Sequence, residues 1–163
     1  MRKKVLYLDY AASTPVDPGV LAAMMPYLKQ EYGNPSSLHH MGQKAASALE
    51  RARVQASSFL HCAADEVVFT SGATEANNLV IRGATKRQKG KSLPHVVISA
   101  IEHESVLSPC RRMEQDGLIE LTILRVDKEG VVEDVSSVLK DSTQLVSIQY
   151  ANSEIGTVQQ IAA

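Results

Sequence analysis

The chain has 163 residues, 44% hydrophobic and 21% charged, the composition of a soluble globular protein long enough for one ordinary core. A net charge of −1 gives a polyanion nothing to hold, so no nucleic-acid partner is expected. The opening MRKKVLYLDYAAS has an apolar run too brief for a secretory signal, and no segment approaches a membrane span. Cys62 and Cys110 are the only cysteines, far apart and without CxxC spacing or a nearby histidine pair. They read as free thiols in a reducing compartment, cytoplasm or organelle matrix, and not as metal ligands.

In chain order, Leu6–Leu8 is a short strand-like entry. Asp17-Pro18 pairs an N-cap residue with proline at the first helical position and predicts a helix through about Lys29, with a kink or early break at Pro26. Tyr32–Ser37 is dense in turn formers. From Leu38 to Leu60 the pattern is helical: Met41, Ala45, Ala48, Leu49, Ala52, Ala56 and Phe59 recur at three- and four-residue steps. That alanine-rich face suits close packing, while Gly42 weakens the start of the helix.

An alternation follows. Val67–Thr70 predicts a strand and Thr74–Arg87 a helix; the basic run from Lys86 to Lys91 reads as a solvated loop. His95–Ser99 predicts a strand, Glu104–Gln115 a helix stopped at Gly117, and Ile119–Val126 a strand. After a turn at 127–130 come a short helix over Glu133–Leu139 and a strand over Gln144–Tyr150. Strands alternating with helices give an α/β chain with a mostly parallel sheet. The final residues look like the first turn of another helix, so a fragment of a longer protein is expected.

Ligands of parallel α/β sheets gather beyond the carboxyl ends of the strands, where loops and helix N-termini converge. Three loops qualify: Ser71-Gly72-Ala73-Thr74-Glu75, Ala100-Ile101-Glu102-His103-Glu104 and Ala151-Asn152-Ser153-Glu154-Ile155-Gly156. In the first, Gly72 eases the turn, and the amides of Ala73 and Thr74 with the Thr74 hydroxyl form an anion-binding set. By spacing alone a helix cap, with Glu75 answering the helix dipole, is the better reading of that loop. The loop is neither GxGxxG nor a Walker A sequence. His103 has a flat ring able to stack on a planar ligand, and Glu102 and Glu104 raise its pKa if they come close. Asn152 can bond a ligand or serve a turn. Together, on successive strand ends, these residues favour a site.

Five blocks in order, LDYAASTPVDP (8–18), YGNPSSLH (32–39), FTSGATEANN (69–78), EHESVL (102–107) and ANSEIGTVQ (151–159), make the chain resemble the cysteine desulfurases. These are pyridoxal 5'-phosphate (PLP) enzymes of the class V aminotransferase group, with the NifS/IscS-like proteins and selenocysteine lyases among them. The resemblance covers nearly the whole chain but well under half of a full-length member. It implies the first part of a fold type I large domain (17–163), with residues 1–16 as an N-terminal arm or small-domain segment.

By position, Ala73 and Thr74 match the residues that bind the cofactor phosphate. His103 matches the catalytic His that stacks on the pyridine ring and takes part in proton transfer. Asn152 matches the Asn near the ring hydroxyl that also helps hold the substrate carboxylate, and Asn34 matches an active-site edge position. Ser153 departs from the second Asn of many members. The family's Schiff-base lysine, the Asp on the pyridinium nitrogen, the substrate-binding Arg and the nucleophilic Cys all fall in later sequence. Neither Cys62 nor Cys110, nor Lys86, Lys89 or Lys91, matches them.

The implied activity is removal of sulfur from L-cysteine, giving alanine and a protein persulfide for iron–sulfur cluster assembly or other sulfur transfer. A homodimer and a sulfur-acceptor or scaffold protein are implied as partners, with no membrane. Selenocysteine lyase, another class V activity and a non-catalytic α/β binding module are the alternatives. The family fold also implies that strands 95–99, 119–126 and 144–150 are neighbours, with 67–70 set apart, and that the isolated polypeptide is marginal or partner-dependent.

Overall fold

The computed structural model describes residues 6–86 and 92–161, so the basic loop read over Lys86–Lys91 lies, except for Lys86, outside the described residues. The chain divides into two compact units, one up to Phe69 and one from Thr70 onward.

The first unit is helical. Helix α1 spans Pro18–Lys29, and the Asp17 carboxylate caps it by accepting from the Gly19 and Val20 amides at 2.8 and 3.1 Å. The early break expected at Pro26 does not occur: α1 runs on to Lys29, and because none of its residues is buried, the one donor that proline removes leaves no polar group in a dry interior. Helix α2 spans His40–Leu60 and ends at His61, which is in the left-handed conformation at φ 55°. A 3₁₀ turn, Ala64–Glu66, follows. The close packing expected of the alanine-rich face is only partly seen: Met41, Ala45, Ala48 and Ala56 are half-buried, Ala52 is exposed, and Phe59 is 83% exposed. Gly42 sits in a helix because no other residue fits there. A Cβ on it would lie 2.1 Å from the Ser37 carbonyl oxygen.

Two expected strands are absent. Leu6–Leu8 and Val67–Thr70 have the composition of strands but no ladder partner among the described residues, and a strand exists only through its neighbour.

The second unit holds helix α3 (Ala73–Ala84), strand β1 (His95–Ser99), helix α4 (Glu104–Gln115), strand β2 (Glu120–Leu124), a 3₁₀ turn (Val135–Val138) and strand β3 (Thr143–Ser147). The three strands form one parallel sheet in the order β2-β1-β3, the neighbour group implied by the resemblance. β2 and β3 are shorter than their apolar runs because the five-residue β1 limits both ladders. The helix expected over Glu133–Leu139 is a single 3₁₀ turn, capped by Asp134.

Every residue of β1 is buried. Val96 and Ile98 pack with Ile81 of α3, with Val106, Leu107, Cys110 and Met113 of α4, and with Ile119. The α4 contributions fall at i, i+1, i+4 and i+7, the stripe an amphipathic helix lays on a sheet. α4 stops where Gly117 adopts φ +67°, and the Leu118 amide reaches back to the Met113 carbonyl. This core fixes the carboxyl ends of β1 and β3, and with them the loops that follow.

Candidate functional site

Beyond β1 the chain turns through residues 100–103 into α4. His103 is the N-cap of that helix, and its Nδ1 accepts from the Ser105 amide at 3.0 Å. Beyond β3 the loop folds around Asn152. Its Oδ1 accepts from the Glu154 and Ile155 amides at 2.8 and 3.0 Å. Its Nδ2 donates to the Ile101 carbonyl and to Gln149 Oε1, both at 3.2 Å. Asn152 therefore shapes its own turn and stitches the two loops together. Between them lies a concavity of about 430 Å³ lined by Ile101, Glu102, His103, Gln149, Asn152 and Ile155, among others.

The third loop opens α3. Gly72 precedes the helix in extended backbone, and no side chain caps the helix start. The first helical bond runs from the Ala76 amide to the Gly72 carbonyl, so the Ala73, Thr74 and Glu75 amides have no intrahelical partner. Glu75 turns back instead: its Oε2 accepts from the Ser71 amide and hydroxyl, each at 2.7 Å. Those bonds, the backbone one first, hold its carboxyl below the usual range. A Cβ at Gly72 would meet nothing within 4 Å, so the approach to these amides is open.

α3 is tied to α4 by Asn77, whose Nδ2 donates to Ser105 Oγ at 2.8 Å. The same Oγ lies 2.8 Å from His103 Nδ1. Ala73, Thr74, His103 and Asn152 thus all belong to the second unit, with His103 and Asn152 on one concavity. Asn34 belongs to the first unit. Its Oδ1 accepts from the Ser36 amide at 2.9 Å, closing the turn before α2.

The acidic neighbours of His103 do not behave as their spacing suggests. Glu102 is buried and turns into the sheet, where it accepts from Ser99 Oγ at 2.9 Å, the Gln149 amide at 2.5 Å and Ser147 Oγ at 3.3 Å. Glu104 accepts from Ser108 Oγ at 2.5 Å. Neither bonds to the imidazole, because successive residues at a helix start point in different directions. Asn77, Ser105 and Gln149 were not singled out by sequence. The His-x-Ser spacing at a helix start was the one available signal for Ser105, whereas Asn77 needs the packing of two helices to be noticed.

The cysteines stay outside this chemistry. Cys110 is fully buried beneath β1, and its thiol is pushed up to about 11 by burial, with the Glu102 carboxylate adding to the effect. At neutral pH it carries essentially no thiolate. Cys62 is half-buried in the other unit. Lys140 is paired with Glu120 at 2.5 Å at the opposite end of the sheet.

Known proteins resemble the chain over nearly its whole length. The aminotransferase class-V family profile matches residues 6–163. The chain is 45% identical to cysteine desulfurase IscS of Dictyoglomus turgidum over 98% of its own length and 40% of that protein's. It is 45% identical to the mitosomal cysteine desulfurase of Encephalitozoon cuniculi over 96% of its length and 37% of that protein's. Among solved structures, SspA in complex with cysteine superposes with a TM-score of 0.86 at 40% identity, covering 94% of this chain and 44% of that one. A NifS-like protein superposes with the same TM-score at 33% identity, covering 92% and 41%. The chain thus spans about two fifths of the length of the curated relatives it matches. It belongs to the class-V aminotransferase family and is similar to that family's cysteine desulfurases.

Proposed function

We propose that the chain supplies the phosphate cradle and the ring-facing wall of a cysteine desulfurase. Such an enzyme takes sulfur from L-cysteine, leaves alanine, and passes the sulfur on as a protein persulfide for iron–sulfur cluster assembly. The observation that carries this is the uncapped start of α3, braced by Asn77 to the helix that His103 opens.

Class V aminotransferases use pyridoxal phosphate, and the residues present suit it. Three unpartnered amides and a hydroxyl at a helix N-terminus are the donor set a phosphate dianion requires. The exposed His103 ring has Nδ1 engaged, and Nε2 has no partner among the described residues. When bound, the cofactor supplies the electron sink for bond breaking at the amino acid. In this reading the Ala73 and Thr74 amides and the Thr74 hydroxyl hold the phosphate. His103 presents its ring face and holds a proton at Nε2. Asn152 keeps the loops after β1 and β3 at one spacing. Its two 3.2 Å amide bonds are at the long end of the normal range, so one can pass to a ring hydroxyl or a substrate carboxylate.

The same reading places Asn34 at the edge of the substrate site. It takes residues 1–16 as an arm and 17–163 as part of the cofactor-binding domain. A homodimer, a sulfur-accepting protein and a cytoplasmic or organelle-matrix setting go with it. The persulfide-forming thiolate and the lysine that anchors the cofactor come from later sequence, because no described cysteine or lysine here is suitably placed.

The test is made on the full-length polypeptide that contains residues 1–163, given L-cysteine and a thiol reductant. Alanine and sulfide are expected in equal amounts, and residues 1–163 alone should release neither. Thr74→Val should weaken pyridoxal phosphate binding about tenfold, the worth of one charge-assisted hydrogen bond at about 1.4 kcal/mol. Turnover of L-selenocysteine without L-cysteine would replace this reading with that of a selenocysteine lyase.

A further inference from the structure

We propose that Ser105 and Asn77 are positioning residues that fix the tautomer and the angle of the His103 ring; the proposal rests on the role given to His103 above. The Ser105 amide donates to Nδ1 at 3.0 Å, and a backbone amide can only donate. Nδ1 is therefore the unprotonated nitrogen, and the neutral ring carries its proton on Nε2. A second contact reinforces this. Ser105 Oγ accepts from Asn77 Nδ2 at 2.8 Å, which turns its own proton toward Nδ1, also 2.8 Å away. Ser105 is buried, 7% exposed, and so is shielded from water that would compete for either bond. Asn77, Ser105 and His103 thus form a directed chain of donors ending on one ring nitrogen.

Two consequences follow for the site. The imidazole is pinned at a helix cap, so its Nε2–H and its flat face keep a constant direction, which an exposed histidine with free χ angles would not. The far end of the chain is on α3, one turn beyond Thr74, so the group facing the ring and the group holding the phosphate are braced across two helices. The alternative geometry, Nδ1–H with Nε2 as acceptor, would set a donor against the Ser105 amide, which can only donate.

The experiment labels histidine with ¹⁵N in the full-length polypeptide and assigns the His103 signals by their loss in His103→Gln. The wild type should show one tautomer, proton on Nε2, with Nδ1 shifted by hydrogen bonding. Ser105→Ala and Asn77→Ala should each move the Nδ1 signal toward that of a water-exposed ring, and Ser105→Thr should restore most of the shift. Asn77→Asp, which can only accept, should draw the serine proton away and mimic Ser105→Ala. In cysteine turnover, Ser105→Ala and Asn77→Ala are expected to lower kcat about three- to tenfold with KM within twofold, and the double variant to be no worse than the worse single. An Nδ1 signal unmoved in all variants, or independent multiplicative effects of the two alanines, would overturn the proposal. Full turnover by His103→Gln would instead overturn the role given to His103, while the relay still shows in the spectrum.

Discussion

Glu102 illustrates how far a residue's neighbours in sequence differ from its neighbours in space. Its position beside His103 suggests an electrostatic partner, yet its carboxylate takes three donors from the ends of β1 and β3. Glu102→Gln would turn the charge-assisted bonds from Ser99 and the Gln149 amide into weaker neutral ones. A loss of about 1–3 kcal/mol is expected, read as a lower urea midpoint at unchanged slope. His95 gives a second residue-scale prediction. It is fully buried, and burial, with a smaller contribution from Lys140 and against the pull of Glu120, lowers its pKa below the ordinary imidazole value. The unfolded chain then binds the proton first. Stability is whole above about pH 6.5, falls as pH drops through that value, and levels off once the folded histidine also protonates. Urea midpoints measured between pH 8 and 5 should fall on the acid side, and a flat profile would contradict the assignment. The lowered carboxyls of Glu75, Glu120 and Asp134 act only at lower pH, so the two windows separate.

At the scale of elements, what sequence reveals is what a segment decides for itself. Asp17 before Pro18 and a turn-to-left-handed glycine after α4 fix the bounds of α1 and α4, and these were legible to the residue. α3 ends three residues early, at Thr85, whose amide and hydroxyl both donate to the Ile81 carbonyl at 3.2 and 2.6 Å. The span of β1 was legible, but the lengths of β2 and β3 were not, since β1 sets how much of each can pair. The cradle loop was legible as a helix start. That Glu75 caps Ser71, and not the first helical amides, depends on a rotamer that no spacing rule gives. Gly42 supplies the test at this scale. Alanine is ordinarily the better helix former by about 1 kcal/mol. Here its Cβ would press on the Ser37 and Asn34 carbonyl oxygens at 2.1 and 2.8 Å. Gly42→Ala should therefore destabilise by roughly 1–3 kcal/mol, seen in a thermal melt of the chain.

For the whole molecule, the two units differ in what holds them. The unit from Thr70 onward has a continuous core beneath β1. Helix α1 has no buried residue and α2 only Gly42 and Ser57, while Leu38 and Phe59 are more than four-fifths exposed. Amphipathic periodicity shows that a helix has an apolar side without showing what covers it, which is why the α2 face was misjudged. The chain by itself should unfold in urea at low concentration, with helix content lost over a broad range before the sheet unit, and should bind a hydrophobic dye beforehand. A single sharp transition from a monomer would count against that. No described helix is long and apolar enough to cross a membrane.

The buried His95 has one more consequence, for how the sheet finds its pairing. Its two ring nitrogens touch Thr122 on β2 and Thr143 on β3, each at 2.8 Å. The β1–β3 ladder skips a residue immediately after this point, so the contact with Thr143 marks where the irregularity falls. A slip of one residue on either side would take the threonine to the opposite face and strand an imidazole nitrogen in a dry interior. One side chain thus proofreads both neighbouring strands at once. Apolar residues alone would tolerate several alignments; the histidine that opens β1 admits one.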